Sequence, residues 1–536
     1  MKLQHVLLGH LLLASGHALY VLDGRDEINS SLPSSSSSIT WSDCDLDVGE
    51  SLNAAIDARL EKPECAKLSV PLDYTNLSSG ETIELQLVKI GANKEPYKGS
   101  VLYNPGGPGG SGVLAVLGNN GLRMRDIVGG HYDIIGFDPR GVGRTIPFSC
   151  NVSMPQTLRR RELNPLALPQ GDVWRFIKEL VWDPAEVTAT ACLEQQAKYG
   201  RFVGTPFVAR DMISIADALG QGPKVNFWGA SYGSTLGQVF LSMFPERVGR
   251  VLLDASLGAD DYASTTWVSA LRDAERSLYK LYEECVNAGP EYCSLANYSG
   301  DNTTADDLRT AVNNALEDKL GDDTEGEGYG VAQVTGVKRA LQQQLYYPSK
   351  YLGAVERITH VLDGNWTAAL MPLPDSTGSE WHKDTHSFLA IACGDSSFRA
   401  ENVEDLYSMY RAHLEQSQFG EATINSRFLC ARWKFHAAEK IDLNALRSVR
   451  TSFPVLLVNG RYDPTTPLGI AWETSARIRN SRVIIHNGVG HGAITHPSNC
   501  TNEAIRQYFD EGKMPELGLT CEPEMNAFEY AKSRQK

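Results

Sequence analysis

One serine in the middle of the chain is surrounded by the residue types that a catalytic nucleophile needs. Residues 229–233 read Gly-Ala-Ser-Tyr-Gly and follow a short β-branched and aromatic run at residues 225–228. A Gly-x-Ser-x-Gly pattern between a strand and a helix is typical of a nucleophile elbow, a sharp turn that exposes the serine hydroxyl. Glycines flank the serine because larger side chains there would collide with the neighbouring backbone. With 48 glycines in the chain, the pattern alone is weak support for Ser231 as a nucleophile.

A serine hydroxyl becomes a good nucleophile only when a base takes its proton and an acid orients that base. Both groups follow Ser231 along the chain. Asp463 lies in the turn after the apolar run "PVLLVNG", and His491 lies between Gly490 and Gly492 after a second apolar run. In the α/β-hydrolase fold the order is serine, acid, histidine, each on a loop after a strand. We therefore predict Ser231, Asp463 and His491 as a catalytic triad.

Other residues near these loops offer alternatives. Asp254 follows the strand after the elbow, where some hydrolases place the acid, so it is a second candidate for that role. His486 and His496 lie on either side of the predicted catalytic histidine and are expected to be structural. Asp138, in the segment "GFDPRG", is expected to brace its loop with Arg140 rather than to take part in chemistry.

A glycine-rich loop, "YNPGGPGGSG" at residues 103–112, has the position expected for half of an oxyanion hole. In this fold one backbone N–H comes from such a loop and the other from the residue after the nucleophile, here Tyr232. Glycines let the backbone approach a reacting carbonyl closely. A phosphate-binding loop is the alternative, but the loop lacks the lysine and following serine or threonine of a P-loop.

Strand-like segments precede the loops that carry these residues, and helical patterns lie between them. The strand-like segments are residues 66–74, 82–90, 99–107, 132–143, 225–228, 247–256, 452–467 and 481–496. The helical patterns are residues 205–220, 265–288, 333–347, 403–416 and 502–515. Alternating strands and helices predict an α/β fold with a mainly parallel sheet covered on both faces. The predicted organisation is a signal peptide at 1–18, a flexible leader at 19–40, a core at 41–260, a helical lid insertion at 261–449 and the rest of the core at 450–536.

Bulk composition excludes some functions. The chain has 536 residues, is 42% hydrophobic and carries a formal net charge of −15. A nucleic-acid partner is not expected, because no basic stripe is present. A membrane partner is not expected either, because no later stretch approaches the roughly 18 apolar residues of a membrane span.

Three features predict a secreted, extracellular protein. The N-terminus has a positive start, a short apolar run and small residues at a plausible cleavage site, as in a secretory signal peptide. The chain has ten cysteines, for which roughly nine hundred pairings exist; we predict that neighbours pair in order. The predicted disulfides are Cys44–Cys65, Cys150–Cys192, Cys285–Cys293, Cys393–Cys430 and Cys500–Cys521. The N-x-S/T glycosylation sequons are at Asn29, Asn76, Asn151, Asn297, Asn302, Asn365 and Asn499. No CxxC or histidine-rich cluster has metal-ligand spacing, so neither a metal nor another cofactor is predicted.

Several motifs together resemble one known family. The segments "NPGGPGGSG", "DIIGFDPRGVGRT", "WGASYGSTLG", "NGRYDPTTP" and "GVGHG", with the C-terminal "CTNEAIRQYFDEGKMPELGLTCE", are similar to the secreted tripeptidyl-aminopeptidase-like branch of the α/β-hydrolases. These enzymes are relatives of prolyl aminopeptidases. The resemblance implies the triad Ser231, Asp463 and His491, with Gly107 and Tyr232 donating to the oxyanion. Prolyl aminopeptidases carry His-Gly-Gly-Pro-Gly where this chain has Pro-Gly-Gly-Pro-Gly at 105–109, which argues against a strict proline preference.

An exopeptidase of this kind needs carboxylates for the free α-ammonium group of its substrate. The predicted insertion offers Glu380, Asp384, Asp395, Glu401 and Glu404, and the sequence does not choose among them. The leading function is thus a secreted serine exopeptidase acting on free N-termini, with a lid that limits access to short peptides. The alternatives are an esterase, lactonase or amidase acting on a small metabolite, and a non-catalytic binding protein that kept the fold.

Overall fold

The protein is described from a computed structural model, which covers residues 38–150, 173–322, 329–372 and 386–535. These residues belong to one compact unit that begins at Ser38. The predicted signal peptide, residues 19–37 of the leader and the sequons at Asn29 and Asn151 lie outside the described residues. The other five sequon asparagines are all exposed.

A ten-stranded sheet runs through the centre of the unit. Its strands are β1 (Ser42–Asp43), β2 (Glu64–Pro71), β3 (Thr82–Ile90), β4 (Ser100–Asn104), β5 (Asp133–Phe137), β6 (Val225–Ala230), β7 (Val248–Asp254), β8 (Val455–Tyr462), β9 (Arg482–Val489) and β10 (Thr520–Cys521). The strand order is β1-β2-β3-β5-β4-β6-β7-β8-β9-β10. The pairs β1–β2, β2–β3 and β3–β5 are antiparallel, and all the others are parallel. The predicted mainly parallel α/β sheet is therefore confirmed.

Helices cover the sheet and fill the long segment between β7 and β8. They are α1 (Glu50–Asp57), α2 (Gly112–Leu117), α3 (Asn119–Ile127), α4 (Trp174–Ile177), α5 (Asp183–Gln195), α6 (Thr205–Leu219), α7 (Tyr232–Met243), α8 (Ala259–Ser264), α9 (Ala274–Ala288), α10 (Ala305–Leu320), α11 (Tyr329–Leu345), α12 (Tyr351–Leu362), α13 (Trp366–Leu370), α14 (Ser387–Asp395), α15 (Tyr407–Gln416), α16 (Gly420–Thr423), α17 (Asn425–Arg432), α18 (Leu468–Arg477), α19 (Asn499–Glu511) and α20 (Ala527–Ser533). A π-helical turn, Lys178–Trp182, joins α4 to α5. Short 3₁₀ turns occupy Leu77–Ser79, Pro245–Arg247, Val268–Leu271, Pro348–Lys350, Val403–Leu406 and Ala445–Arg447.

The central strands are apolar because both faces of the sheet are covered. The first six residues of β8 are all buried, and β4 is buried along its whole length. Continuous apolar runs of this kind are expected for parallel strands between two helical layers. Helix α7 is also buried from its first residue to Leu241, so the elbow lies at the middle of the fold.

The pattern at residues 265–288 does not form one continuous helix. A 3₁₀ turn at Val268–Leu271 comes first, and α9 begins at Ala274. Thr265 and Trp267 have positive φ angles of 60° and 49°, which interrupt a helix. The Asp261 carboxylate accepts a hydrogen bond from the Ser269 N–H at 3.1 Å and thereby satisfies a backbone donor at this interruption.

Helices α8–α17 lie in the region predicted as a helical insertion, and many of them share an apolar core of their own. Its buried members include Leu281 of α9, Val337 of α11 and Ile358 of α12, and the C-terminal Phe528 packs into the same cluster. Stabilisation of this region therefore comes partly from apolar contacts within the helical layer and not only from the sheet. Among the described residues, no helix combines the length and the hydropathy of a membrane span. The same residues contain no cluster of three or more histidine, cysteine or acidic side chains suited to a metal ion.

Five disulfides join all ten cysteines in the neighbouring pairs expected from the sequence. They are Cys44–Cys65, Cys150–Cys192, Cys285–Cys293, Cys393–Cys430 and Cys500–Cys521. The first fastens the N-terminal segment to the sheet edge, and the last fastens α19 to β10. Disulfides of this number are typical of proteins in oxidising compartments.

Candidate active site

Ser231 occupies a strained turn between β6 and α7. Its φ and ψ are 58° and −126°, and its N–H donates to the Asp254 carbonyl at 2.9 Å. The two flanking glycines are required by space. A Cβ on Gly229 would lie 2.1 Å from the Gly233 carbonyl oxygen, and a Cβ on Gly233 would lie 2.4 Å from the Asn104 carbonyl oxygen. The backbone of the elbow is therefore packed directly against β4, which fixes the position of the serine.

The imidazole of His491 is held by Asp463. Its Nδ1 lies 2.9 Å and 3.0 Å from the two carboxylate oxygens. The carboxylate is fully buried and also accepts backbone N–H bonds from Thr465 at 3.0 Å and Thr466 at 2.8 Å. These donors keep the carboxylate oriented, so it accepts the Nδ1 proton and leaves Nε2 as the basic nitrogen.

The environment of His491 favours its protonated form. Burial lowers the pKa of the imidazole, but the charge of Asp463, its hydrogen bond and the more distant Asp254 outweigh burial and raise the pKa above its usual value. The ring also packs edge-on against Tyr346, with ring centroids 4.9 Å apart, and the His491 N–H donates to the Tyr346 carbonyl at 2.8 Å. The residue after the end of helix α11 therefore helps to position the histidine loop. His491 Nε2 is buried and has no hydrogen-bond partner among the described residues.

Asp254, the alternative acid, lies close by but is bonded to other groups. Its carboxylate accepts from the Ala493 N–H at 2.9 Å and from the Trp228 indole N–H at 3.3 Å. Burial raises the pKa of Asp254 to about 6, although both of these bonds and the charge of His491 lower it. Asp254 therefore fastens the loop that follows His491, whereas Asp463 contacts the ring itself.

The two other histidines of this region have structural partners. His486 Nδ1 lies 3.0 Å from the Thr501 hydroxyl, and burial lowers the pKa of His486 to about 4. The backbone N–H of Val489 donates to Nδ1 of His496, whose Nε2 lies 2.9 Å from the Met525 carbonyl. Both rings are almost fully buried.

The expected brace between Asp138 and Arg140 does not form. The Arg140 guanidinium is buried and pairs with Asp211, at 2.6 Å and 2.8 Å. Asp138 accepts hydrogen bonds from the Ser111 hydroxyl and the Val113 N–H instead, and so caps the start of α2. Proximity in sequence was misleading here, because Arg140 reaches across to α6.

The glycine-rich loop lies directly against the elbow. A Cβ on Gly106 would be 2.4 Å from the Ala230 carbonyl oxygen and 2.9 Å from the Tyr232 nitrogen, and the φ of Gly106 is +95°. Gly107, with φ +110°, lines the same cavity as Ser231. The loop that carries Gly107 is therefore in contact with the elbow that carries Tyr232, and these two residues remain the predicted oxyanion donors.

A cavity of about 430 Å³ opens at Ser231. One part of its wall is apolar and includes Leu257, Trp267, Ala270, Leu271, Phe388 and Leu429. The remaining lining residues are Gly107, Arg339, Gln342, Gln343, Tyr346, Ala422, Thr423, Arg427, Thr465 and Thr466. The helices of the predicted insertion therefore form much of the wall, and its polar part contains two arginines that carry no motif in the sequence.

The predicted insertion carboxylates do not line this cavity where they are described. Asp395 is buried in another network, and Glu401 and Glu404 are exposed to solvent. Glu380 and Asp384 lie outside the described residues.

Asp395 belongs to a buried polar network that leads to the elbow. Its carboxylate accepts from the N–H and hydroxyl of Thr205 and from the Tyr262 hydroxyl. The Thr205 hydroxyl lies 2.6 Å from the phenol oxygen of Tyr232, the residue after Ser231. Burial raises the pKa of Asp395 to about 6. The sequence offered Asp395 as a substrate ligand, but its partners are other side chains of the protein.

The order of the strands, the elbow at the end of β6 and the acid and histidine after β8 and β9 define an α/β-hydrolase fold, as the sequence predicted.

Residues 416–521 match the family model described as "TAP-like protein". The chain is 28% identical over 504 residues to the tripeptidyl aminopeptidase of Streptomyces lividans, covering 90% of this chain and 87% of that protein. It is 27% identical over 485 residues to the serine protease Hip1 of Mycobacterium tuberculosis, with 85% and 87% covered. It is also 25% identical over 481 residues to a M. tuberculosis protein named carboxylesterase B, with 87% and 88% covered. The resemblance to the tripeptidyl-aminopeptidase-like group is thus confirmed.

Proposed function

We propose that the protein is a secreted serine exopeptidase that removes short peptides or single residues from free N-termini through an acyl-enzyme on Ser231. The observation that carries this proposal is the arrangement at the elbow. Ser231 opens into a cavity of about 430 Å³, and a buried carboxylate holds the imidazole of His491 with Nε2 left as the base. Relatives named tripeptidyl aminopeptidase and serine protease over most of their length support a peptide substrate.

The proposed reaction begins when His491 Nε2 takes the Ser231 hydroxyl proton as the oxygen attacks the carbonyl carbon. Asp463 stabilises the imidazolium that forms. The N–H groups of Gly107 and Tyr232 stabilise the negative charge on the carbonyl oxygen. His491 then donates its proton to the leaving amine, and a water molecule releases the acyl group by the reverse sequence. Nε2 has no hydrogen-bond partner among the described residues, and catalytic hydrogen bonds often tighten only when substrate binds.

Secretion is part of the proposal. Five disulfides among the described residues fit an oxidising compartment, and every described sequon asparagine is exposed enough to accept a glycan.

A small-molecule ester or amide is the second candidate substrate. The triad chemistry serves esters and amides alike. One relative of similar coverage is named a carboxylesterase, and no described carboxylate lines the cavity to receive an α-ammonium group.

The deciding experiment compares two chromogenic tripeptide anilides, one with a free N-terminus and one acetylated, using Ser231→Ala as the blank. Ser242→Ala is a matched control, because among the described residues its hydroxyl donates to the Val239 carbonyl, within α7 itself. We expect cleavage of the free form alone and loss of activity only in Ser231→Ala, by a factor of order 10⁶ in turnover. Cleavage of neither anilide by protein that a fluorophosphonate still labels at Ser231 would favour the ester or amide. No labelling and no turnover would favour a binding protein.

A further inference from the structure

Tyr232, the predicted oxyanion donor next to Ser231, is fastened at both ends. Its backbone begins α7 directly after the strained turn at Ser231, whose φ is 58°. Its phenol oxygen, at the far end of the side chain, lies 2.6 Å from the Thr205 hydroxyl. The ring is buried and packs against Tyr262, with ring centroids 5.3 Å apart. Only two side-chain torsions separate the phenol from the backbone, so a fixed phenol restricts where the Tyr232 N–H can lie.

Thr205, the first residue of α6, is itself held by a carboxylate of the helical layer. Asp395, the last residue of α14, accepts a hydrogen bond from the Thr205 N–H at 2.9 Å and another from the Thr205 hydroxyl. Its carboxylate also accepts from the Tyr262 hydroxyl at 2.8 Å. All three residues are buried. A buried carboxylate is costly to desolvate unless donors surround it, so these bonds hold the Asp395 carboxylate in one position.

The charge of Asp395 gives the chain of hydroxyl groups one direction. Burial raises the pKa of Asp395 to about 6, although the bonds from Thr205 and Tyr262 lower it, so the group is a carboxylate at neutral pH. An ionised carboxylate can only accept, and therefore the single proton of the Thr205 hydroxyl points to Asp395. The Thr205 oxygen is then the acceptor for the Tyr232 phenol. Hydrogen bonds to a charged group are shorter and stronger than neutral ones, which favours one fixed geometry.

A purely structural role of Asp395 would need only part of this network. Gly204, at the N-cap position of α6, has no side chain that could accept the first N–H groups of the helix, and Asp395 accepts the Thr205 N–H instead. Capping of this kind requires the backbone N–H of Thr205 but not its hydroxyl. Because the hydroxyl is the group that reaches Tyr232, a substitution that removes the hydroxyl alone separates the two roles.

Helix α14 also contacts the other half of the predicted oxyanion hole. A Cβ on Gly109 in the glycine-rich loop would lie 3.1 Å from the Phe388 nitrogen and 3.2 Å from the Ser387 Cβ, both in the first turn of α14. Phe388 also lines the cavity at Ser231. The helix therefore contacts the glycine-rich loop at its first turn and holds Thr205 at its last residue, which supports a role in fixing the two predicted donors relative to each other.

We propose that Thr205, held by Asp395, is a positioning residue for the oxyanion hole: it fixes the Tyr232 phenol so that the backbone N–H faces the charge that develops on the substrate carbonyl. This inference rests on the proposed function, since it assumes that Ser231 is the nucleophile. Displacement of an oxyanion donor weakens binding of the transition state more than binding of the substrate. Loss of the positioning bond should therefore lower kcat and leave KM nearly constant.

The test uses Thr205→Val and Tyr232→Phe, which remove opposite ends of one hydrogen bond and keep nearly the same side-chain volume. Turnover of the anilide or ester that the wild type cleaves is measured per site labelled by a fluorophosphonate, so that unfolded protein is not counted. We expect each variant to lose about tenfold in kcat, less than the roughly 10²–10³ for a removed donor, with KM within about threefold. The double variant should lose no more than either single one, because both act on one bond. Thr205→Ser, which restores the hydroxyl, should recover most of the lost kcat.

Tyr132→Phe is the matched control. Tyr132 is buried and its hydroxyl donates to the Phe509 carbonyl at 2.8 Å, but it precedes β5, at the opposite end of the parallel strands from Ser231. Its substitution should leave kcat within about threefold. Unchanged kcat in Thr205→Val and Tyr232→Phe, or an equal loss in the control, would overturn the positioning role and leave the proposed function standing. Wild-type protein with neither turnover nor labelling of Ser231 would overturn the proposed function itself.

Discussion

Replacing Asp463 by asparagine tests the assignment of the acid, because the two side chains have nearly the same size. The Asp463 carboxylate oxygen that accepts the Thr465 and Thr466 N–H groups is one of the two that face Nδ1. In Asp463→Asn, the amide oxygen would keep these two backbone donors, and the amide NH₂ would then point at the imidazole. His491 Nδ1 would have to accept, its proton would move to Nε2, and Nε2, the nitrogen proposed as the base, could no longer take a proton. Mutations that impose the wrong tautomer in this way lower kcat by about 10⁴, or about 5.5 kcal/mol in activation free energy.

Asp254→Asn is the matched control. Asp254 is equally buried and also near His491, but its bonds go to Trp228 and Ala493. We expect a loss of less than about tenfold in kcat/KM, since loop anchoring changes but the tautomer does not. The assay is turnover of a chromogenic anilide or ester by both variants, with unfolding curves to show that each is folded. Near-normal activity of Asp463→Asn together with a 10⁴-fold loss in Asp254→Asn would refute the assignment and make Asp254 the acid.

The pH dependence of activity in the same two variants is a second test of the acid assignment. His491 must be neutral to act as a base, so activity falls as the pH drops through its pKa. Asp463 raises that pKa and Asp254 raises it to a smaller extent. The acid limb of the remaining activity should therefore move to lower pH in both variants, and further in Asp463→Asn.

Two further predictions concern the oxyanion loop and the buried carboxylates. Gly106→Ala should lower kcat by about 10²–10³ by pushing the loop off the elbow, whereas Gly222→Ala, with a similar φ of +100° and no atom within 4 Å of the new Cβ, should leave kcat nearly unchanged. Equal losses in the two variants would show that backbone strain, and not displacement of the loop, causes the effect. Asp254 has a folded-state pKa of about 6, above its unfolded value, so its contribution to stability is complete below about pH 4 and is lost as the pH rises through 6. Urea unfolding should show that the wild type loses up to about 3 kcal/mol more than Asp254→Asn between pH 4 and 7, and parallel curves would contradict this.

Residues of the candidate site could be predicted from the sequence where the local backbone geometry requires particular neighbouring residues. Ser231 needs a positive φ and a glycine two residues away on each side, and His491 lies between two glycines with φ near +90°. The strands before these loops are continuous apolar runs because both faces of the sheet are covered. Such constraints act within a few residues, so a single sequence displays them.

The residues of the cavity wall are not accompanied by any such local sequence pattern. Arg339 lies on a helix that packs into the shared apolar core of the helical layer, and Arg427 lies on a helix that packs into a separate buried cluster with Phe428 and Ala431. Asp395 is a second residue whose role could not be predicted from the sequence. The sequence offered it as a substrate ligand, but in the structure its carboxylate bonds to Thr205 and Tyr262. A carboxylate in a helical region can face solvent, substrate or another side chain, and only the packing decides which.

The helical layer also supports the loops of the candidate active site, and this determines how a lid should be tested. Tyr346, just beyond α11, accepts the backbone N–H of His491, and a Cβ on Gly109 in the oxyanion loop would lie 3.1 Å from the backbone nitrogen of Phe388 in α14. The other end of α14 carries Asp395, which reaches Tyr232 through the Thr205 hydroxyl. Deleting residues 265–445 would therefore remove supports of the histidine loop, the oxyanion loop and the elbow together with any barrier to long peptides. A change in the preferred peptide length shows that the lid limits access of long peptides to Ser231 only under two conditions. Single substitutions in the cavity wall must change the preferred length, and Ser231 must keep its reactivity toward a small fluorophosphonate.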